Sequence, residues 1–202
     1  MHPAFSVIFF TVTSGAGYGL ISLLSLLNFL NLGMLLDKNT FFITAGVAIV
    51  LFTMGLISST FHLANPKNAW RAFMRFRTSW LAREGLLAII FYPLIILYLF
   101  LIYIDFQIDQ YFFMQAYSFF IFLVSIIIIH CTGMIYACLK TIPQWNTFWT
   151  PINYITIGIF LGSLILFFIF YLNGVDVDPY KYYLLSAIVL SFFTKMSYYF
   201  SI

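Results

Sequence analysis

Gly85-Leu86-Leu87-Ala88-Ile89-Ile90-Phe91-Tyr92-Pro93-Leu94-Ile95-Ile96-Leu97-Tyr98-Leu99-Phe100-Leu101-Ile102-Tyr103-Ile104 is an uncharged run closed by Asp105. A helix rises about 1.5 Å per residue, so such a run matches the hydrocarbon thickness of a bilayer, about 30 Å. Working outward, the same length of apolar chain recurs on both sides. One run covers about 5–33 and ends before Asp37-Lys38-Asn39, and a second covers about 41–63 and stops at Asn65-Pro66. Beyond Asp105, runs follow at about 111–139, at 152–172, and from Lys181 to Ile202. Period-2 alternation is absent and the runs are too long for strands. The expected fold is an all-α integral membrane protein. It is a single domain over 1–202, a bundle of about six transmembrane helices with an amphipathic interfacial helix after the second.

Composition excludes the alternative of a soluble domain. Of 202 residues, 63% are apolar and 7% charged, whereas soluble domains carry about 25% charged residues to wet their surface. The uncharged N-terminal stretch is longer than the apolar core of a signal peptide, about 7–15 residues, so it is expected to persist as the first helix. Cys131 and Cys138 fall in one run, separated by about 10 Å of helical rise, too far for a disulfide. No Cys-x-x-Cys pattern occurs, so the chain supplies no zinc or iron–sulfur ligand set of its own.

Lys67, Arg71, Arg75, Arg77, Arg83 and Lys140 fall on one side of the expected bundle, against Lys38 and Lys181 on the other. Cytoplasmic loops are enriched in Lys and Arg, so the N-terminus and the basic loop 64–83 are expected in the cytoplasm. The pairs Gly15/Gly19 and Gly158/Gly162, and more loosely Gly55/Ser59, have the spacing that lets helices approach closely in lipid. Gly15-Ala16-Gly17-Tyr18-Gly19 follows no strand and is not a nucleotide loop. No repeat relates 1–104 to 111–202, which argues against an inverted-repeat transporter.

The polar segment carries the chemistry. Asn65-Pro66 is a cap followed by proline at a first helical position. Lys67, Arg71 and Arg75 share one face, while Trp70, Phe73, Met74, Trp80 and Leu81, with Arg77 among them, cluster on another. This pattern fits a helix lying in the membrane plane. It serves either as a lipid anchor alone or also as a docking surface for a soluble partner. His62 closes the second run and Glu84, the only glutamate, opens the third, so both face the same end. Ionisable groups at the hydrocarbon edge are costly and therefore point to function. A histidine and a carboxylate there suit proton exchange with a quinone, which takes up or releases two protons per two electrons. The plainer alternative is that His62 bonds a backbone carbonyl while Glu84 pairs with Arg83 or caps its helix. His130 lies toward the same end, and His62 with His130 would be the ligands of a b-type haem in a rival reading. A transporter or channel is the other rival, but it would place ionisable groups near the midplane.

Several segments resemble the membrane-anchor subunit family of dimethyl sulfoxide reductase. These are the opening Met1-His2-Pro3-Ala4-Phe5, Ser14 to Gly19, and Ser59-Thr60-Phe61-His62-Leu63. They continue with Asn65-Pro66, Ala69-Trp70-Arg71-Ala72-Phe73, Ser79-Trp80-Leu81, Arg83-Glu84-Gly85, Met134-Ile135-Tyr136-Ala137 and Thr150-Pro151-Ile152-Asn153-Tyr154. The resemblance implies a haem-free anchor of a bacterial inner (plasma) membrane that binds menaquinol or ubiquinone. It would hold an iron–sulfur subunit and a molybdopterin catalytic subunit against the lipid, with no nucleic-acid partner. It implies quinol binding and proton handling at His62 and Glu84, the catalytic candidates. From their position in the basic loop, rather than from the resemblance, Trp70, Arg71 and Trp80 are expected to form the quinone-headgroup shelf and docking face, and no metal site is expected. The basic loop, read as cytoplasmic, looks more like relatives that couple cytoplasmic sulfite oxidation to the quinone pool than like exported sulfoxide reductases. Family members usually carry more helices than are read here, so the chain is expected to be a shortened form or a piece of a longer one.

Overall fold

The computed structural model describes residues 5–60, 70, 74–104 and 111–201. Among these the chain is all helix and loop. The helices are α1 (Phe5–Phe29), α2 (Lys38–Thr60), α3 (Trp80–Tyr103), α4 (Tyr111–Ala137), α5 (Trp149–Leu172) and α6 (Lys181–Ser201). All six are long and apolar enough to cross a membrane. Cross-helix pairs run in reverse order along the chain, Phe41 with Tyr98 and Phe52 with Tyr92, Tyr98 with Ser118 and Glu84 with Thr132, Phe170 with Tyr180 and Thr156 with Thr194, so successive helices run antiparallel. The starts of α1, α3 and α5 therefore share one end of the bundle with the ends of α2, α4 and α6. This is called the basic end below, after Arg75, Arg77 and Arg83.

The helix α1 is central. It packs against α2, α4 and α5 and is the most deeply buried span, whereas α6 is the least buried. The expected small-residue pairs make the closest approach among the described glycines. A Cβ placed on Gly19 would lie 1.9 Å from the Gly158 carbonyl oxygen, and one on Gly162 would lie 2.4 Å from the Gly19 carbonyl carbon. The α1 and α5 backbones therefore touch directly. Gly17 lies against Ala48 and Phe52 of α2, Gly55 against Ser14, and Gly133 against Pro151. With lipid on the outside there is no hydrophobic drive between helices, so backbone proximity and dispersion must hold them. Phe52 stacks on Tyr18 at 4.8 Å, and Phe91 meets both rings edge-on, which brings α3 onto the same core.

At the far end, polar side chains fasten the bundle. Asn28 Nδ2 donates to Tyr98 Oη (2.9 Å) and Ser118 Oγ (3.0 Å). Asn31, two residues past α1, takes the left-handed conformation (φ 62°), which Asn tolerates better than most residues, and its side-chain oxygen accepts from Gln115 (3.0 Å). A 3₁₀ turn over Leu32–Leu35 follows, and the buried Tyr180 donates to the Leu32 carbonyl (3.1 Å).

The expected interfacial helix falls largely on 61–69 and 71–73, outside the described residues. Trp70 is helical and exposed, and 74–78 are turns rather than helix. The helix α3 begins at Trp80, five residues before the uncharged run, because Ser79 caps it by accepting from the Ala82 amide. Arg83 and Glu84 thus sit inside a membrane helix. We expect Gly19→Ala to lower the thermal midpoint of the detergent-solubilised chain and its monodisperse yield, since overpacking costs about 1–3 kcal/mol. Gly15→Ala, whose added methyl meets nothing within 4 Å, should leave both unchanged.

Candidate functional site

The first turn of α3 sends its two charges in different directions. Arg83 folds back on the loop before it. Its Nε donates to the Phe76 carbonyl (2.9 Å), an Nη donates to the Arg77 carbonyl (2.7 Å), and the guanidinium lies 4.1 Å above the Trp80 ring. Glu84, one position on, turns inward and is only 3% exposed. Its carboxylate accepts a hydrogen bond from the Thr132 hydroxyl of α4. Neither plain alternative for Glu84 holds among the described residues: the helix is capped by Ser79, and Arg83 is engaged with backbone.

Thr132 also lines a cavity of about 340 Å³ at the basic end, near the lower limit of ordinary small-molecule sites, about 300–1,000 Å³. Its walls come from α1, α4, α5 and α6, and include Gly15, Tyr18, Thr132, Tyr136, Asn153 and Tyr154. The Tyr136 and Tyr154 rings stack at 5.3 Å, 15° from parallel. Lys195 and Tyr198 of α6 complete the wall. Tyr198 donates to the Gln144 carbonyl (2.9 Å), and the Lys195 ammonium lies 4.9 Å from the Tyr198 ring. Glu84 stands behind Thr132, within electrostatic reach of the Tyr18, Tyr136 and Tyr154 phenols. The site thus has an aromatic floor, hydroxyls, one cation and a buried acid reached through one hydroxyl.

The sequence-based candidates separate here. Glu84 is at the site. Trp80 is not on the cavity wall but packs edge-on against His130 (5.9 Å, 74° between rings). His130 borders a different depression, with Met134, Asn146 and Pro151. Trp70 is exposed. His62 and Arg71 lie outside the described residues, and with them the pairing of His62 with His130. Among the described residues no cluster of His, Cys, Asp or Glu could hold a metal ion. Thr132, Tyr18 and Asn153 were missed. Asn153 carried a signal, since a carboxamide one turn inside an apolar run is costly in lipid. Thr132 carried none, because a lone threonine in a helix ordinarily bonds its own backbone.

Residues 1–198 match the family described as DMSO reductase anchor subunit (DmsC). The chain belongs to this family. It is also 33% identical over 183 residues to a subunit of the sulfite dehydrogenase of Allochromatium vinosum, a match covering 82% of this chain and 54% of that protein. The chain thus spans about half the length of that curated relative. No solved structure matches. As a member of the anchor family with six spans, this is a multi-pass membrane protein.

The Arg83 contacts yield a direct test. Arg83→Ala removes two charge-assisted hydrogen bonds from the loop over 74–79. We expect trypsin cleavage after Arg75 or Arg77 to quicken about tenfold or more, with little change in the thermal midpoint.

Proposed function

We propose that this chain is the membrane anchor of a molybdopterin/iron–sulfur oxidoreductase of the dimethyl sulfoxide reductase or sulfite dehydrogenase type. In this reading it exchanges electrons between the quinone pool, menaquinol or ubiquinone, and an iron–sulfur partner subunit. Family membership supports the anchor role. The observation that carries the quinone role is the buried Glu84 carboxylate, joined by the Thr132 hydroxyl to a cavity of headgroup size.

A quinol bound there supplies two electrons and two protons on oxidation, and the chain's own residues handle the protons. The Thr132 oxygen carries one hydrogen and has two acceptors nearby, the Glu84 carboxylate and the Ile128 carbonyl (3.2 Å). When the carboxyl is ionised, that hydrogen points to Glu84. When the carboxyl is protonated, its O–H donates to the Thr132 oxygen, and the threonine hydrogen turns to Ile128. The hydroxyl can therefore pass a proton between the cavity and the acid without moving a heavy atom. His62 is assigned a proton-donor or -acceptor role on the family resemblance. Exposed Trp70, Met74 and Phe76, with Arg71, Arg75 and Arg77, are assigned to the partner-facing surface, and Trp80 to the shelf beneath it.

Glu84→Gln keeps shape and removes the proton site. In membranes holding the assembled complex, we expect quinone-linked turnover to fall about a hundredfold. Dye-linked activity of the catalytic subunit should be unchanged, and Thr132→Val should follow the same pattern. Full quinone-linked turnover in Glu84→Gln would overturn the assignment.

The excess of Lys and Arg at the basic end supports a cytoplasmic position for it, in a bacterial plasma membrane. Cys138 is exposed at that end and Cys131 is buried. A membrane-impermeant maleimide should label Cys138 in inverted vesicles and leave it unlabelled in right-side-out ones; the opposite pattern would reverse the topology.

A further inference from the structure

Two side chains of the cavity wall each carry a buried polar atom with no hydrogen-bond partner among the described residues: the Tyr18 hydroxyl oxygen and the Asn153 side-chain carbonyl oxygen. Both side chains are more than nine-tenths buried, Tyr18 at 2% exposure and Asn153 at 6%. Buried polar groups are otherwise almost always satisfied, and leaving one open costs about 1–3 kcal/mol. Elsewhere in this bundle the rule is obeyed, as at Asn28, Tyr98 and Ser118.

Tyr18 is held from behind. Its ring lies flat against Phe52 and edge-on to Phe91. Asn153 stands on α5, one turn before the glycine contact that fixes α5 against α1. The spacing between these two side chains is therefore set by touching backbones rather than by flexible side-chain packing. Nothing in the proton path uses either group.

We propose that Tyr18 and Asn153 are the two polar contacts of the ring of a quinone-class ligand, and that Asn153 favours its reduced form. This rests on the quinone reading above and adds the residues that would recognise the ring. A quinol has hydroxyls on opposite sides of a flat aromatic ring, as the stacked Tyr136–Tyr154 floor would accommodate. The Tyr18 phenol can donate to or accept from one ring oxygen. With its carbonyl oxygen turned to the ring, Asn153 accepts there, which favours an O–H that the reduced ring has and the oxidised ring lacks. Gly15 borders the same space, and a Cβ there meets no atom within 4 Å, so a larger side chain at 15 would occupy the ring's volume.

The test uses the full chain, purified in detergent, and the fluorescence quenching of 2-heptyl-4-hydroxyquinoline N-oxide, a quinol analogue, on binding. Short-chain ubiquinol and ubiquinone then compete under anaerobic conditions. Tyr18→Phe retains the ring stack and should weaken analogue binding roughly 3- to 10-fold, the worth of one neutral hydrogen bond. Asn153→Leu should weaken competition by the quinol by a similar factor and change competition by the quinone little. Gly15→Val should abolish binding while eluting as a monodisperse species like the parent. If the parent chain binds the analogue but Tyr18→Phe and Asn153→Leu bind it equally well, the proposal is overturned and the quinone reading stands. Equal loss for both oxidation states in Asn153→Leu overturns the assignment of the reduced form. If the parent chain fails to bind any of the three compounds, the quinone reading falls and this proposal with it.

Discussion

The backbone contact between α1 and α5 is the constraint on which the remaining geometry depends. In water, apolar side chains would drive these helices together; in lipid the surrounding acyl chains are as apolar as leucine, so that drive is missing. Contact must come from surfaces that fit closely, and glycine allows the tightest approach. Gly19 rests on Gly158, and Gly162 rests on Gly19 and Leu20. Because α1 also carries α2 and α4, one close crossing sets the position of four of the six helices. The cavity adjoins that crossing on its basic-end side, with Gly158 in its wall. Its walls inherit a spacing that side-chain motion alone would not hold.

The two ends of the bundle treat polarity differently. At the far end, Asn28, Tyr98, Ser118, Gln115 and Asn31 satisfy one another and the terminal carbonyl of α1. Among the described residues, that arrangement leaves no buried polar side-chain atom at this end without a partner. At the basic end, an acid is buried against a single hydroxyl, and two further buried polar atoms are left without a partner among the described residues. A bundle able to complete one network within lipid has the means to complete another, so the open one is where we place the proposed ligand's atoms.

Much of the architecture was legible from sequence because lipid imposes a simple rule: about twenty apolar residues per span, with charges and prolines between. The runs at 85–104 and 111–139 read correctly within a few residues. The main boundary difference, α3 starting at Trp80, arose because Arg83 and Glu84 looked like a loop. Arg83 can extend back to loop carbonyls, and Glu84 can turn into the bundle, so neither charge has to leave the helix. The glycine pairs were legible as packing surfaces, though not that they pack on each other. Glu84 stood out because it is the only glutamate. Thr132, Tyr18 and Asn153 did not, since what distinguishes them is the space in front of them, and that space is made by four helices far apart in sequence.

The cavity's outer wall rests on the least anchored element. The helix α6 packs on α5, is tied there by the Thr156–Thr194 hydroxyl pair (2.8 Å), and shows most of its surface outward. The central crossing is held from three sides. Regions with few buried contacts open at lower free energy than the core they cover. Warming or harsh detergent should therefore part α6 from its neighbour while α1, α2 and α5 remain assembled, so that the chamber breaches before the scaffold melts.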